Sequence, residues 1–266
     1  MAVTSGITLA VLFLASLFFN PYVFLGFIWV LAALGMLELD VAFRSRGWRV
    51  ATPVALGVSL VLIFGAYANG PSAQSLGLVL LLFGAVTWTL LDRGRPVGRG
   101  VAGVAASVAG TVLMTVWVPF LASYVGLLLA RDEGRWLVLA TVGLTVASDI
   151  AAFAFGNRFG RHRLAPTVSP AKTWEGFTGS VLTVAVVAAA VVARLPGFDL
   201  STALALAVAV AVASTVGDLA ESLVKRDFGV KDLGTIVPGH GGIMDRADAV
   251  LLAFPAAHLL LSALGS

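Results

Sequence analysis

Long apolar runs, each closed by a short polar or glycine-containing break, recur from one end of the chain to the other. "ITLAVLFLASLFF", "VALGVSLVLIFGAYA", "LGLVLLLFGAVTWTLL", "VLTVAVVAAAVVA" and "ALALAVAVAVAS" are examples. About 20 apolar residues cross the hydrocarbon core of a bilayer as a helix, and unpaired backbone groups forbid open strands there. Only 12% of the residues are charged and 59% are hydrophobic, far from the balance of a soluble domain. The pattern predicts an all-α, polytopic integral membrane protein with about nine transmembrane helices. The expected spans are 4–19, 22–43, 50–68, 75–91, 101–130, 136–156, 173–193, 201–223 and 247–264. They leave no room for a separate soluble domain, so 1–266 reads as one membrane-embedded domain: 1–130 carries no motif, and 136–264 carries the chemistry. The fifth span is long for one crossing and contains Pro119, which predicts a kink or two elements.

The first run does not read as a secretory signal, because "MAVTSG" has no basic residue and a second run follows at Asn20-Pro21. The chain has no cysteine, which excludes disulfides and thiolate metal sites. No internal repeat is visible, which disfavours a transporter built from duplicated halves. Of the 17 Lys and Arg residues, all but Arg131, Arg135 and Arg194 fall in breaks after even-numbered spans. The positive-inside rule then places the N-terminus and those breaks in the cytoplasm.

Charge is concentrated between residues 218 and 248. Asp218, Glu221, Ser222 and Lys225 fall at i, i+3, i+4 and i+7, one face of the end of the eighth span. Ionisable groups at membrane depth face water, a ligand or each other, so the default reading of such a stripe is functional. An internal Lys225–Asp218 or Lys225–Glu221 pair is the bland alternative. "VPGHGG" places glycines about His240, a composition that lets backbone amides approach phosphate oxygens. Asp245 and Asp248 lie at i, i+3 where the ninth span begins. With the carboxylates of the eighth span they suit a hard divalent cation such as Mg²⁺, although acidic residues at a helix start also simply suit the helix dipole. Asp149 stands alone in the sixth span and needs a partner or a cation. "SPAKTWEG" reads as the opening of the seventh helix, with Ser169 as cap, Pro170 in the first turn and Glu175 completing local electrostatics. Lys172 in that first turn opposes the dipole, which points to an anionic ligand shared with the helix start.

The segment "SLVKRDFGVKDLGTIVPGHGGIMDRAD", 222–248, resembles the signature of phosphatidate cytidylyltransferases, the CDP-diacylglycerol synthases. "SPAKTWEG" and "GDLAES" resemble two further motifs of that family, and nine spans with C-terminal motifs fit it. Val237 and Ala247 are lighter than the family pattern, and Phe153 stands where a tyrosine is expected. The first 130 residues resemble the family only in hydropathy.

The resemblance implies CTP plus phosphatidate giving CDP-diacylglycerol and pyrophosphate in phospholipid biosynthesis, at the cytoplasmic side of a bacterial-type inner membrane. It implies Mg²⁺, with a second, monovalent cation as an open alternative. Asp218 and Asp245 become the principal metal ligands, and Asp149, Glu221 and Asp248 ligands or groups behind them. Lys172, Lys225, Arg226, Lys231 and Arg246 become phosphate clamps, aided by Ser169, Ser222, Gly241 and Gly242. His240 donates a hydrogen bond to a phosphate or leaving group, a general-acid role being the weaker alternative. Asp218, Asp245, Lys225 and His240 form the expected catalytic set. Partners are the two substrates and the lipid bilayer, with no nucleic acid; a homodimer is compatible with the family. Another lipid phosphate as acceptor and a cation-coupled transporter are the competing readings.

Overall fold

A computed structural model of the chain describes residues 2–91, 101–230, 233–234 and 242–265. The helices are α1 (Ala2–Phe19), α2 (Pro21–Ser45), α3 (Thr52–Asn69), α4 (Pro71–Leu91), α5 (Val101–Thr115), α6 (Leu121–Leu129), α7 (Gly134–Phe159), α8 (Trp174–Ala190), α9 (Leu200–Asp227) and α10 (Met244–Leu264). Among the described residues, eight helical segments are long and apolar enough to cross a membrane, and Gly6–Phe19 adds a shorter apolar one. The protein is an all-α, polytopic membrane protein. Two compact units share the chain, the first within Met1–Ala130 and Asp232–Met244, the second within Arg131–Lys231 and Asp245–Ser266.

In the first unit, Asn20 ends α1 and caps α2, its side chain accepting from the Tyr22 amide at 2.8 Å with Pro21 at the first helical position. The expected break at Pro119 is a π turn, Val116–Phe120, that joins α5 to α6 without ending the run. A proline cannot donate to the helical ladder, and a widened turn absorbs the missing bond. Close helix approach here rests on small residues. A Cβ on Gly126 of α6 would lie 2.9 Å from the Ile63 carbonyl oxygen and 3.0 Å from the Tyr67 amide of α3. Interhelical hydrogen bonds join Trp29 Nε1 to Ser59 Oγ at 2.9 Å and Gln74 Nε2 to Ser123 Oγ at 2.7 Å. The start of α3 is satisfied by α5, where Thr111 Oγ1 accepts from the Ala51 amide at 2.9 Å.

In the second unit α7, α8 and α9 pack side by side, and an antiparallel hairpin connects α7 to α8. Its strands are β1 (Arg163–Ala165) and β2 (Ser169–Thr173), with Arg163 opposite Thr173, Ala165 opposite Ser169 and an irregularity between. The α7–α8 crossing is built on glycine: a Cβ on Gly176 would sit 2.7 Å from the Ala152 carbonyl oxygen and 3.2 Å from Gly156 Cα. Phe155 lies across Gly179 in the same way.

Candidate active site

The hairpin corrects the reading of "SPAKTWEG". Residues 169–173 are strand, and α8 begins at Trp174. Ser169 is therefore not a helix cap, and Lys172 stands ahead of the helix rather than in its first turn. The cause is local: the residue before a proline is pushed toward extended backbone, and Pro170 suits the edge of a two-stranded ribbon. Thr173 is the true cap, its hydroxyl accepting from the Gly176 amide at 3.1 Å. Glu175 turns back to the segment entering the hairpin. It accepts from the Arg161 amide at 3.1 Å and meets His162 Nδ1 at 2.6 Å. Arg163 donates to the Pro170 carbonyl across the hairpin. Arg226, at the end of α9, reaches the Val168 carbonyl in the turn, Nε to O 3.4 Å. Lys172 is thus presented on a braced strand, and its ammonium group pairs with Asp218 of α9.

Along α9 the expected polar stripe is present and meets the start of α10. Lys225 Nζ lies 2.9 Å from Glu221 Oε2 and 2.8 Å from Asp245 Oδ1, bridging two helices. Glu221 is 2% exposed, so this ammonium group neutralises a carboxylate that water does not reach. Asp248 is buried, in side-chain contact with both Asp218 and Glu221. The approach depends on Gly217: a Cβ there would run into the Asp248 carbonyl oxygen and lie 3.2 Å from Ala249 Cα.

Beside this ladder lies a cavity of about 260 Å³, walled by Ser148, Asp149, Ser169, Lys172, Thr215 and Asp218 among others. Asp149, one of the solitary carboxylates of the sequence, opens into it and feels the charges of both Asp218 and Lys172. The cavity is roomy enough for a charged group of a ligand, and an amine, carboxylates and hydroxyls converge on it. Among the described residues no three His, Asp or Glu side chains close into a ready-made cation cage. The chemistry of the donors nevertheless suits a hard cation. Glu221 Oε1 is buried with no hydrogen-bond donor beside it, and carboxyl groups in contact, as Asp248 is with Asp218 and Glu221, need a proton or a positive charge between them.

Comparison with known proteins gives the family of the chain. The sequence model of the family described as "Cytidylyltransferase family" matches residues 1–264. The chain belongs to the cytidylyltransferase family. It is 32% identical to a phosphatidate cytidylyltransferase of Mycobacterium bovis over 99% of this chain and 88% of that protein. A phosphatidate cytidylyltransferase of Haemophilus influenzae is 32% identical over 95% of each chain. One from Staphylococcus aureus is 32% identical over 77% of this chain and 76% of its own.

As a cytidylyltransferase the chain is a nucleotidyl-transfer enzyme, and its expected site residues can be placed one by one. Asp149, Ser169, Lys172 and Asp218 line the cavity. Glu221, Lys225, Asp245 and Asp248 form the ladder beside it. Ser222 is half-buried on α9, and Arg226 and Arg246 are exposed at the end of α9 and the start of α10. Gly242 is buried just before α10. Lys231, His240 and Gly241 lie outside the described residues. Two acidic residues escaped the sequence reading. Asp40 pairs with Arg44 one turn on, at 2.9 Å, and Glu38 is 2% exposed and accepts the Ile243 and Met244 amides at 3.0 and 3.1 Å. Their signal was the one applied to Asp149, a carboxylate within an apolar run.

Proposed function

We propose that this cytidylyltransferase acts on CTP and phosphatidate, giving CDP-diacylglycerol and pyrophosphate for phospholipid biosynthesis. The carrying observation is the convergence of Lys172, Asp218, Glu221, Lys225, Asp245 and Asp248 where α9 and α10 meet, beside a cavity whose wall includes Asp149, Lys172 and Asp218. In the reaction a phosphate oxygen of the lipid attacks the α-phosphorus of CTP. The new P–O bond forms as the bond to the β-phosphate oxygen breaks, and pyrophosphate leaves with the electron pair. Two polyanions must approach, so positioning and charge neutralisation dominate, with little call for an acid or base.

Lys172 is carried on a rigid strand at the cavity wall, so it can hold a phosphate without a large search of conformations. Lys225 sits deeper, keeping Glu221 and Asp245 in fixed rotamers. Arg226 and Arg246 stand at the exposed rim, and Lys231 and His240 belong to the segment between them. Mg²⁺, held by Asp218 and Asp245 with Glu221, Asp248 and Asp149 alongside, would supply the further positive charge that a triphosphate requires. The bacterial relatives and the basic residues of the even-numbered breaks support a bacterial-type inner membrane with this end of α7–α10 toward the cytoplasm.

The test is incubation of purified protein with labelled CTP, Mg²⁺ and phosphatidate. Lipid-soluble label and pyrophosphate are expected in equal amounts, and their absence would refute the reading. Asp218→Asn and Asp245→Asn are each expected to abolish Mg²⁺-dependent product while the protein stays monodisperse. Full activity in either variant removes that residue from the metal set.

A further inference from the structure

The first unit carries a buried carboxylate for which the nucleotidyl-transfer chemistry has no direct use. Glu38 lies in the second half of α2, 2% exposed, with Oε1 accepting from the Ile243 amide at 3.0 Å and Oε2 from the Met244 amide at 3.1 Å. These amides open α10, where helical donors have no partner within the helix and a negative charge is favoured. The same carboxyl group is pressed against Gly234, where a Cβ would overlap it. One turn before Glu38, Gly35 leaves room for the Met244 side chain, whose Sδ would lie 3.1 Å from a Cβ there. Gly35 and Glu38 therefore form a seat on one face of α2 that takes Met244 by both backbone and side chain. Gly234 and Ile243 stand on either side of segment 235–241, and both meet the Glu38 carboxyl.

We propose that Glu38 is a positioning residue for nucleotidyl transfer: it clasps residues 234 and 243–244, and so fixes the first turn of α10 from which Asp245 projects. A carboxylate is suited to this task because it offers two charge-assisted acceptors to adjacent amides that would otherwise be buried unpaired. Glutamine has the same shape but keeps one acceptor, and it turns an NH₂ donor toward a backbone donor. The catalytic part of this inference rests on the proposed function, whereas the clasp itself does not.

The experiment uses the full chain in lipid nanodiscs, comparing wild type with Glu38→Gln and Gly234→Ala. Trypsin cleavage after Arg246 reads the start of α10, and cleavage after Arg194 serves as a control within the same molecule. CTP-dependent kinetics read kcat, the KM for CTP and the Mg²⁺ concentration for half-maximal rate. In Glu38→Gln, Arg246 cleavage is expected to quicken with Arg194 unchanged. The kcat is expected to fall and the Mg²⁺ requirement to rise by about tenfold or more, as for other groups that orient metal ligands. Wild-type cleavage and kinetics in Glu38→Gln overturn the proposal, and so does faster cleavage with unchanged kcat and Mg²⁺ requirement. If Glu38→Gln is not monodisperse, Gly234→Ala decides by the same measures, since it disturbs the clasp but keeps the charge. A wild-type protein that forms no CDP-lipid refutes the proposed function, while Arg246 cleavage still decides the clasp.

Discussion

Gly217→Ala adds one methyl group at the point where α9 meets α10, and the outcome can be worked from the contacts. The new Cβ would overlap the Asp248 carbonyl oxygen and lie 3.1 Å from its carbonyl carbon and 3.2 Å from Ala249 Cα. All three are backbone atoms, so no rotamer change relieves the overlap and the helices must separate. Restoring ordinary contact requires roughly 1 Å of movement. Forced overpacking of this kind costs about 1–3 kcal/mol of stability. The same movement parts Asp218 and Glu221 from Asp245 and Asp248, and displacements of about 1 Å can cost on the order of 100-fold in rate. The assay is CDP-lipid formation by purified variant, paired with thermal unfolding in the same detergent. Gly143→Ala is the control, because nothing lies within 4 Å of a Cβ at that position of α7. Turnover in Gly217→Ala equal to that of Gly143→Ala would show that the α9–α10 approach does not set the geometry of the site.

Lys225→Met is expected to leave Glu221 and Asp245 without their shared ammonium group, at a cost of about 3 kcal/mol for a broken buried pair, seen as a lowered thermal midpoint along with lost activity. Thr173→Ala removes the cap of α8 and is expected to cost about 1 kcal/mol, with faster amide exchange at Gly176 as its local mark. Asp199 caps α9, accepting from the Thr202 amide at 2.7 Å and the Ser201 hydroxyl at 2.9 Å. Hydrogen bonds from Thr202 first, and then Ser201, hold its carboxyl below the ordinary range. Its contribution is therefore present above that range and lost as pH falls through the lowered value. Protection of the Thr202 amide, measured against the intrinsic exchange rate at each pH, is expected to hold at neutral pH and to fall only in acid; equal protection in an Asp199→Ala variant would refute the cap.

The membrane helices were legible because lipid imposes one rule, long apolar runs with every backbone group paired internally, and the runs carry it openly. The ladder from Asp218 to Asp248 was legible for the related reason that charge in such a chain has few innocent explanations. What hid was structure made by partners distant in sequence. Glu38 and Met244 stand about two hundred residues apart, and a single carboxylate in α2 does not announce which amides it serves. The hairpin hid differently, since "SPAKTWEG" holds both a strand edged by proline and a helix start, and helix-start rules alone placed the cap four residues early. Asp218 and Asp245 are the metal ligands the resemblance implies. Lys225 lies beside Asp245, and Asp248 is the residue that reaches Asp218.

The hairpin also sets where the chain can change length. Side chains alternate along a strand, so inserting or deleting one residue within 169–173 would turn Lys172 to the opposite side and take its charge from Asp218. A residue added at Pro166–Val168, a turn whose first two side chains are exposed, would be absorbed without that inversion. Substitutions in β2 are graded in their effect, but its residue count admits only one value.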